Sequence, residues 1–145
     1  MQTARGLALS ILGEIFQDGA FSNIALKKSL GKATLSDVDK SLVTEIVYGT
    51  VSRKLTLEWY LSHFVADRDQ VDPWIYHLLL MSLYQFAYLE KIPPHAVVHE
   101  AVELAKQRKK GSEKYVNALL RKMLREELPS IDQIKRINKR LSIRY

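Results

Sequence analysis

A chain of 145 residues that is 47% hydrophobic and 26% charged has enough apolar side chain to close a core and is the size of one ordinary domain. It contains no cysteine, which excludes a disulfide scaffold, a thiolate nucleophile, a zinc ribbon and an iron–sulfur site. The net charge of +6 is unevenly placed: residues 1–105 carry 9 basic and 12 acidic side chains, residues 106–145 carry 13 and 4, and such a basic stretch is either a solvated lysine-rich face or a surface that meets phosphate.

The N-terminus runs from Met1-Gln2-Thr3-Ala4-Arg5 straight into a periodic segment, with no apolar core or cleavage site of a secretory signal. Leu7, Leu9, Ile11, Leu12, Ile15 and Phe16 predict a first amphipathic helix, ended by Asp18-Gly19. Ser22-Asn23 opens a short second helix through Leu26 and Leu30, which Gly31 is expected to close. Ser36, with Asp37 and Asp39 behind it, supplies an N-cap and first-turn acids for a long third helix carrying Leu42, Val43, Ile46 and Val47. The two aspartates resemble paired catalytic carboxylates, but the helix dipole favours them there on structural grounds alone, and capping is the expected role. A break is expected near Leu55, with Thr56 capping a continuation that holds Leu57, Trp59, Tyr60, Leu61 and Phe64.

Asp72-Pro73 places an N-cap before a proline at the first helical position. The helix that follows, Trp74 to Tyr88, is apolar nearly all round and is expected to be the buried centre of the fold. His77, Ser82 and Gln85 interrupt it, and it falls short of the roughly 20 clean apolar residues of a bilayer span. A cytoplasmic protein without a membrane segment is the expectation.

Ile92-Pro93-Pro94 stops that helix and launches the next, which ends in the basic loop Lys109-Lys110-Gly111. Ser112 is expected to cap a further helix with Tyr115, Val116, Leu119, Leu120, Met123 and Leu124 inward and Lys114, Arg121, Lys122 and Arg125 on other faces. Leu128-Pro129 ends it, and Ser130 with Gln133 has capping-box spacing for one more helix studded with Lys135, Arg136, Lys139 and Arg140. With no strand pairing or internal repeat, the fold class is all-α, a helical bundle around a central buried helix.

No Gly-rich phosphate loop occurs, so no cofactor is expected in this chain. His95 and His99, four apart beside Glu100, have metal-ligand spacing, but zinc needs more ligands, and they are expected to be first-turn and packing histidines with no metal bound. Tyr48, Trp59, Tyr60, Trp74, Tyr84, Phe86 and Tyr88 fall mostly on apolar stripes, and core packing is expected for them. Tyr115 stands beside Lys114 and the basic segment Lys106, Arg108, Lys109 and Lys110, and stacks a base if its ring reaches solvent. Asn117 interrupts an apolar run; it either bonds to a neighbouring helix end or presents its amide to a base or phosphate. Catalytic residues are expected to be absent.

The run from Pro94 to Lys106 (P-H-A-V-V-H-E-A-V-E-L-A-K), followed by Lys114 to Arg121 (K-Y-V-N-A-L-L-R), resembles the C-terminal half of the NusB family. The opening Ala4 to Leu9 and the segment Val47 to Val51 with Arg53 are similar as well, so the likeness covers nearly the whole chain. Glu45 to Arg53 and the tail from Leu128 to Tyr145, with its K-R-L-S-I-R-Y ending, resemble the N-terminal NusB-like domain of the RsmB (Sun/Fmu) family of small-subunit ribosomal RNA cytosine-C5 methyltransferases.

That resemblance implies an RNA-binding accessory domain over residues 1–127 and a basic helical linker over 128–145. The linker would lead toward a C-terminal methyltransferase domain, absent here, that supplies the cysteine nucleophile and the S-adenosylmethionine site; the chain is expected to be an excised domain. The implied partners are ribosomal RNA and that catalytic domain. A free-standing antitermination factor, the alternative, implies a ribosomal protein or a homodimer, and a docking module is a third reading. Arg5, Lys114 and Asn117 match positions that the family associates with its RNA-facing side. Lys106, Arg108, Lys109 and Lys110 join them on charge, and Tyr115, Arg121 and Lys122 by their place on the same helix. The family's free-standing factors have an arginine-rich N-terminal segment, where this chain has only Arg5.

Overall fold

The computed structural model describes residues 2–126. They form seven α-helices and one 3-10 turn, with no strand. The expected helix and linker over 128–145 lie outside the described residues. The chain groups into two compact units, Met1–Ser52 and Arg53–Tyr145.

The first unit contains α1 (Ala4–Asp18), α2 (Ser22–Lys32) and α3 (Asp37–Ser52), packed pairwise on one another. Thr3 caps α1 by accepting the Gly6 N–H at 3.0 Å, a signal the sequence reading passed over. Leu7, Ala8, Leu9, Ile11 and Leu12 are buried, because their i, i+3, i+4 spacing puts them on one side of the helix. Gly19 ends α1 in the left-handed region at φ 73°, where a side chain is disfavoured. Gly31 does not close α2 as expected. It stays helical, and the chain leaves the helix at Ala33 with φ −78° and ψ 143°. Ser36 caps α3 through the Asp39 N–H at 3.2 Å, and Val43, Ile46 and Val47 are fully buried.

The second unit contains α4 (Lys54–Leu61), the 3-10 turn η1 (Arg68–Gln70), α5 (Pro73–Tyr88), α6 (Pro94–Arg108) and α7 (Ser112–Arg125). The break before α4 falls at Arg53, not near Leu55, and Thr56 is no cap: it is buried within the first turn. Arg53 supplies only its carbonyl, which accepts the Leu57 N–H at 2.9 Å. Its guanidinium lies 4.3 Å over the Tyr88 ring, which stacks on Tyr84 with centroids 5.4 Å apart, a cation–π contact that fixes the start of this unit.

Asp72 Oδ1 accepts the Trp74 N–H at 2.8 Å ahead of Pro73. Every residue from Ile75 to Gln85 is buried, so α5 is the central helix that its apolar circumference predicts, and α4, α6 and α7 pack on it. Its polar groups are satisfied within the helix: Ser82 donates to the Leu78 carbonyl at 2.8 Å and Gln85 to the Met81 carbonyl at 3.1 Å. α6 and α7 form a helical hairpin. The small residues Ala101 and Ala105 are buried on α6, and Val116, Leu120 and Met123 on α7. Tyr115 and Leu124, expected inward, are 41% and 39% exposed. Tyr48, expected in the core, is 44% exposed. In each case the helix turns just far enough that only one edge of an aromatic or leucine side chain meets its neighbours.

Candidate nucleic-acid interface

The basic segment between α6 and α7 is held in place by its own short side chains. Gly111 adopts φ 104°, open to glycine and strained for other residues. Ser112 caps the helix behind it: its one hydroxyl proton is shared between the Lys109 carbonyl at 2.7 Å and the Ala105 carbonyl at 3.0 Å, both at the α6 C-terminus. Capping of α7, the expected role, falls instead to Glu113, whose carboxylate accepts the Gly111 N–H at 2.6 Å. Backbone hydrogen bonds, first from its own N–H and then from Gly111, hold the Glu113 carboxyl below the usual range, and the nearby Lys106 and Lys114 add to this. The loop is thus a fixed turn that displays Lys109 and Lys110 at the end of the hairpin.

Lys106, Arg108, Lys109, Lys110, Lys114, Arg121 and Lys122 are all exposed. At 3.6 residues per turn, Lys114, Ala118, Arg121 and Arg125 share the stripe of α7 opposite its buried face. Tyr115 and Lys122 lie on one flank of that stripe and Asn117 on the other, Tyr115 and Asn117 being roughly 160° apart around the helix. The cleft lining brings Lys109 and Lys110 of the loop together with Tyr115; Lys114 directly precedes Tyr115, and Lys122 lies on the same flank of α7 about two turns further along. The helix does not bring Tyr115 and Asn117 together, so a ligand touching both must cross the arginine stripe. Among the described residues Asn117 makes no bond to a neighbouring helix end, one of its two alternatives; its Oδ1 accepts the Arg121 Nε–H at 2.9 Å on its own helix. Arg125 belongs to the stripe, and its i+4 spacing from Arg121 is the signal that would have nominated it.

Beside this surface is a cleft of about 610 Å³. Phe64, Val65, Val71 and Ile75 provide apolar wall, Asp67, Gln70 and Asp72 polar rim, and Lys109, Lys110 and Tyr115 the side toward the basic loop. The loop before α5 is tied down by Arg68, which pairs with the Glu58 carboxylate and lies 4.3 Å over the Tyr76 ring. Burial pushes the Tyr115 phenol above its usual range, yet the ring also meets solvent, the condition for stacking a base. No sequence signal pointed to Phe64, Asp67 or Gln70 as neighbours of the basic loop, because they come from a stretch about 40 residues earlier that only the packing of α5 on α6 and α7 brings there.

Arg108 sets its guanidinium 5.5 Å over the Trp74 ring, at the start of α5. Arg5 lies in the first unit, half-buried in the first turn of α1. Asp37 is exposed and Asp39 half-buried, both in the first turn of α3 where the helix dipole favours acids. His95 and His99 are exposed and not packed, which corrects the packing role expected of them. Among the described residues no group of three histidine or carboxylate side chains is arranged to hold a metal ion. No helix among them is long and apolar enough to cross a membrane.

Comparison with known proteins adds to this geometry. The chain is 44% identical over 141 residues to a probable ribosomal RNA small subunit methyltransferase B of Bacillus subtilis, covering 97% of this chain and 32% of that protein. It is 36% identical over 130 residues to a protein of the same description from Synechocystis, covering 88% and 29%. A ribosomal RNA small subunit methyltransferase B of Serratia proteamaculans is 33% identical over 125 residues, covering 85% and 28%. The chain thus spans about a third of the length of these relatives. The profile of the NusB family matches residues 2–125, and with its all-helical architecture the chain belongs to the NusB family.

Proposed function

We propose that this chain is the RNA-binding accessory domain of a small-subunit ribosomal RNA cytosine-C5 methyltransferase, holding ribosomal RNA for a catalytic domain that follows it. The observation that carries the reading is the exposed set Lys106, Lys109, Lys110, Lys114 and Lys122 on the hairpin that also carries Tyr115, with its turn held by the Ser112 hydroxyl on the α6 carbonyls. Each phosphate that these cations neutralise releases condensed counterions, which favours binding. The relatives' description as ribosomal RNA methyltransferases names the kind of RNA. Arg121, Arg108 and Asn117 extend the surface; Arg5, in the first unit, is a separate RNA-facing candidate by family likeness.

S-adenosylmethionine would serve the whole enzyme as methyl donor. The described residues do not fit it: they contain no strand, and their left-handed glycines, Gly19 and Gly111, follow helices, whereas nucleotide-type cofactors sit at the glycine-rich turn after a strand. Methyl transfer is therefore assigned to the part of such a protein outside this chain, in a cytoplasmic enzyme.

Ultraviolet crosslinking of the 145-residue chain to a small-subunit ribosomal RNA fragment, with mapping of the modified peptides, tests the reading. Crosslinks are expected in residues 106–122. Crosslinks confined to α2 and α3, or none above a chain carrying Lys109→Glu and Lys110→Glu, would contradict it.

A further inference from the structure

The cleft beside Tyr115 is lined by charges of both signs. Lys109 and Lys110 come from the turn between α6 and α7, and Asp67 and Asp72 from the stretch before α5, with Phe64 and Tyr115 among the lining rings. Its volume of about 610 Å³ lies within the range of roughly 300–1,000 Å³ typical of small-ligand pockets. Each aspartate is positioned by a local bond through one oxygen: Asp67 Oδ1 accepts the Asp69 N–H at 3.0 Å, and Asp72 Oδ1 accepts the Trp74 N–H at 2.8 Å. A carboxylate has about four lone-pair sites, so both keep acceptor capacity toward the cleft.

We propose that this cleft takes one everted nucleotide of single-stranded RNA, with phosphate on Lys109 and Lys110, base against Tyr115 and Phe64, and base edge toward Asp67 and Asp72. The polarity follows from charge. A phosphate is repelled by the aspartates and drawn to the lysines, which leaves the base to fill the apolar space. The acidic rim accepts hydrogen bonds and donates none, so it favours a base with an exocyclic amine, such as cytosine, adenine or guanine, over uracil, whose O4 accepts where the cytosine N4 amine donates. This assignment rests on the RNA-binding reading and adds to it a subsite and a preference.

The test is fluorescence anisotropy of the 145-residue chain with labelled ten-nucleotide oligocytidine and oligouridine at fixed salt. Oligocytidine is expected to bind several-fold more tightly. Tyr115→Ala should weaken both by about 5- to 100-fold, the range of one lost base stack, and Tyr115→Phe should keep most of the affinity. Asp67→Asn can retain the bond to Asp69 while turning an N–H donor toward the base, so the cytidine preference should shrink or invert. Gln70→Trp, at an exposed position on the rim, should block the cleft without disturbing the core, as an unchanged melting temperature would show. If Tyr115→Ala, Asp67→Asn and Gln70→Trp leave both affinities unchanged while Lys109→Ala with Lys110→Ala weakens them, the nucleotide subsite is wrong and the RNA surface stands. If the unaltered chain binds neither oligonucleotide, the RNA reading fails and the subsite with it.

Discussion

Ser112 and His77 show how much of this molecule is decided by single side chains. Ser112 looks like an N-cap in sequence, but its hydroxyl adds a second donor at the Ala105 and Lys109 carbonyls of the α6 C-terminus, which already accept the Lys109 and Ser112 N–H groups. Ser112→Ala should cost about 1 kcal/mol, the usual net worth of such bonds, seen as a lower urea midpoint with unchanged slope. His77 is buried in α5, and its pKa is lowered first by that burial, then by Arg68 and Lys54, with Asp72 opposing. The folded state therefore takes up its proton less readily than the unfolded state. Stability from this site is complete above the ordinary histidine value of 6.5 and is lost as pH falls through the window below it. Urea midpoints across pH 5–8 should show that decline in the parent chain, and His77→Gln should flatten it. The burial of His77 was legible from its neighbours in an apolar helix; the turning of Tyr115 and Leu124 to solvent was not, because residue type fixes an apolar stripe's centre better than its edges.

At the scale of elements, caps and periodicity sufficed for most of the fold. Thr3, Ser36 and Asp72 each accept a backbone N–H at a helix start, and the last two were evident from residue type and position. The misplaced break before α4 has a physical reason: Thr56 has the chemistry of a cap, but burial among its neighbours outweighs that preference. The circumference of α5 was the strongest signal, and it carries a matching prediction. Leu79→Ala removes a side chain with 0% exposure and should cost about 2–5 kcal/mol, measured as loss of thermal stability by circular dichroism. On α7 the pattern showed which residues face outward, but not that Tyr115 and Asn117 lie on opposite flanks of the Lys114, Arg121 and Arg125 stripe, since that emerges only once the buried face is known.

For the whole molecule, charge asymmetry in the sequence located the basic surface, and the packing of the second unit turned part of it into a shaped cleft. Lys106, Lys109 and Lys110 were nominated from charge alone and Lys114 by family likeness, whereas Phe64, Asp67 and Gln70 were hidden by sequence distance. Family likeness is the ground for proposing what neither charge nor periodicity names, ribosomal RNA as the polyanion. The central claim is that the turn at Lys109 and Lys110, with Lys114, binds ribosomal RNA through phosphate contacts. The most direct measurement is the affinity of a small-subunit ribosomal RNA fragment as a function of salt, for the parent chain and for Lys109→Ala/Lys110→Ala/Lys114→Ala. Loss of three contacts should flatten the log–log slope by about 2 on the single-strand scale; a slope unchanged by the triple substitution would contradict the account.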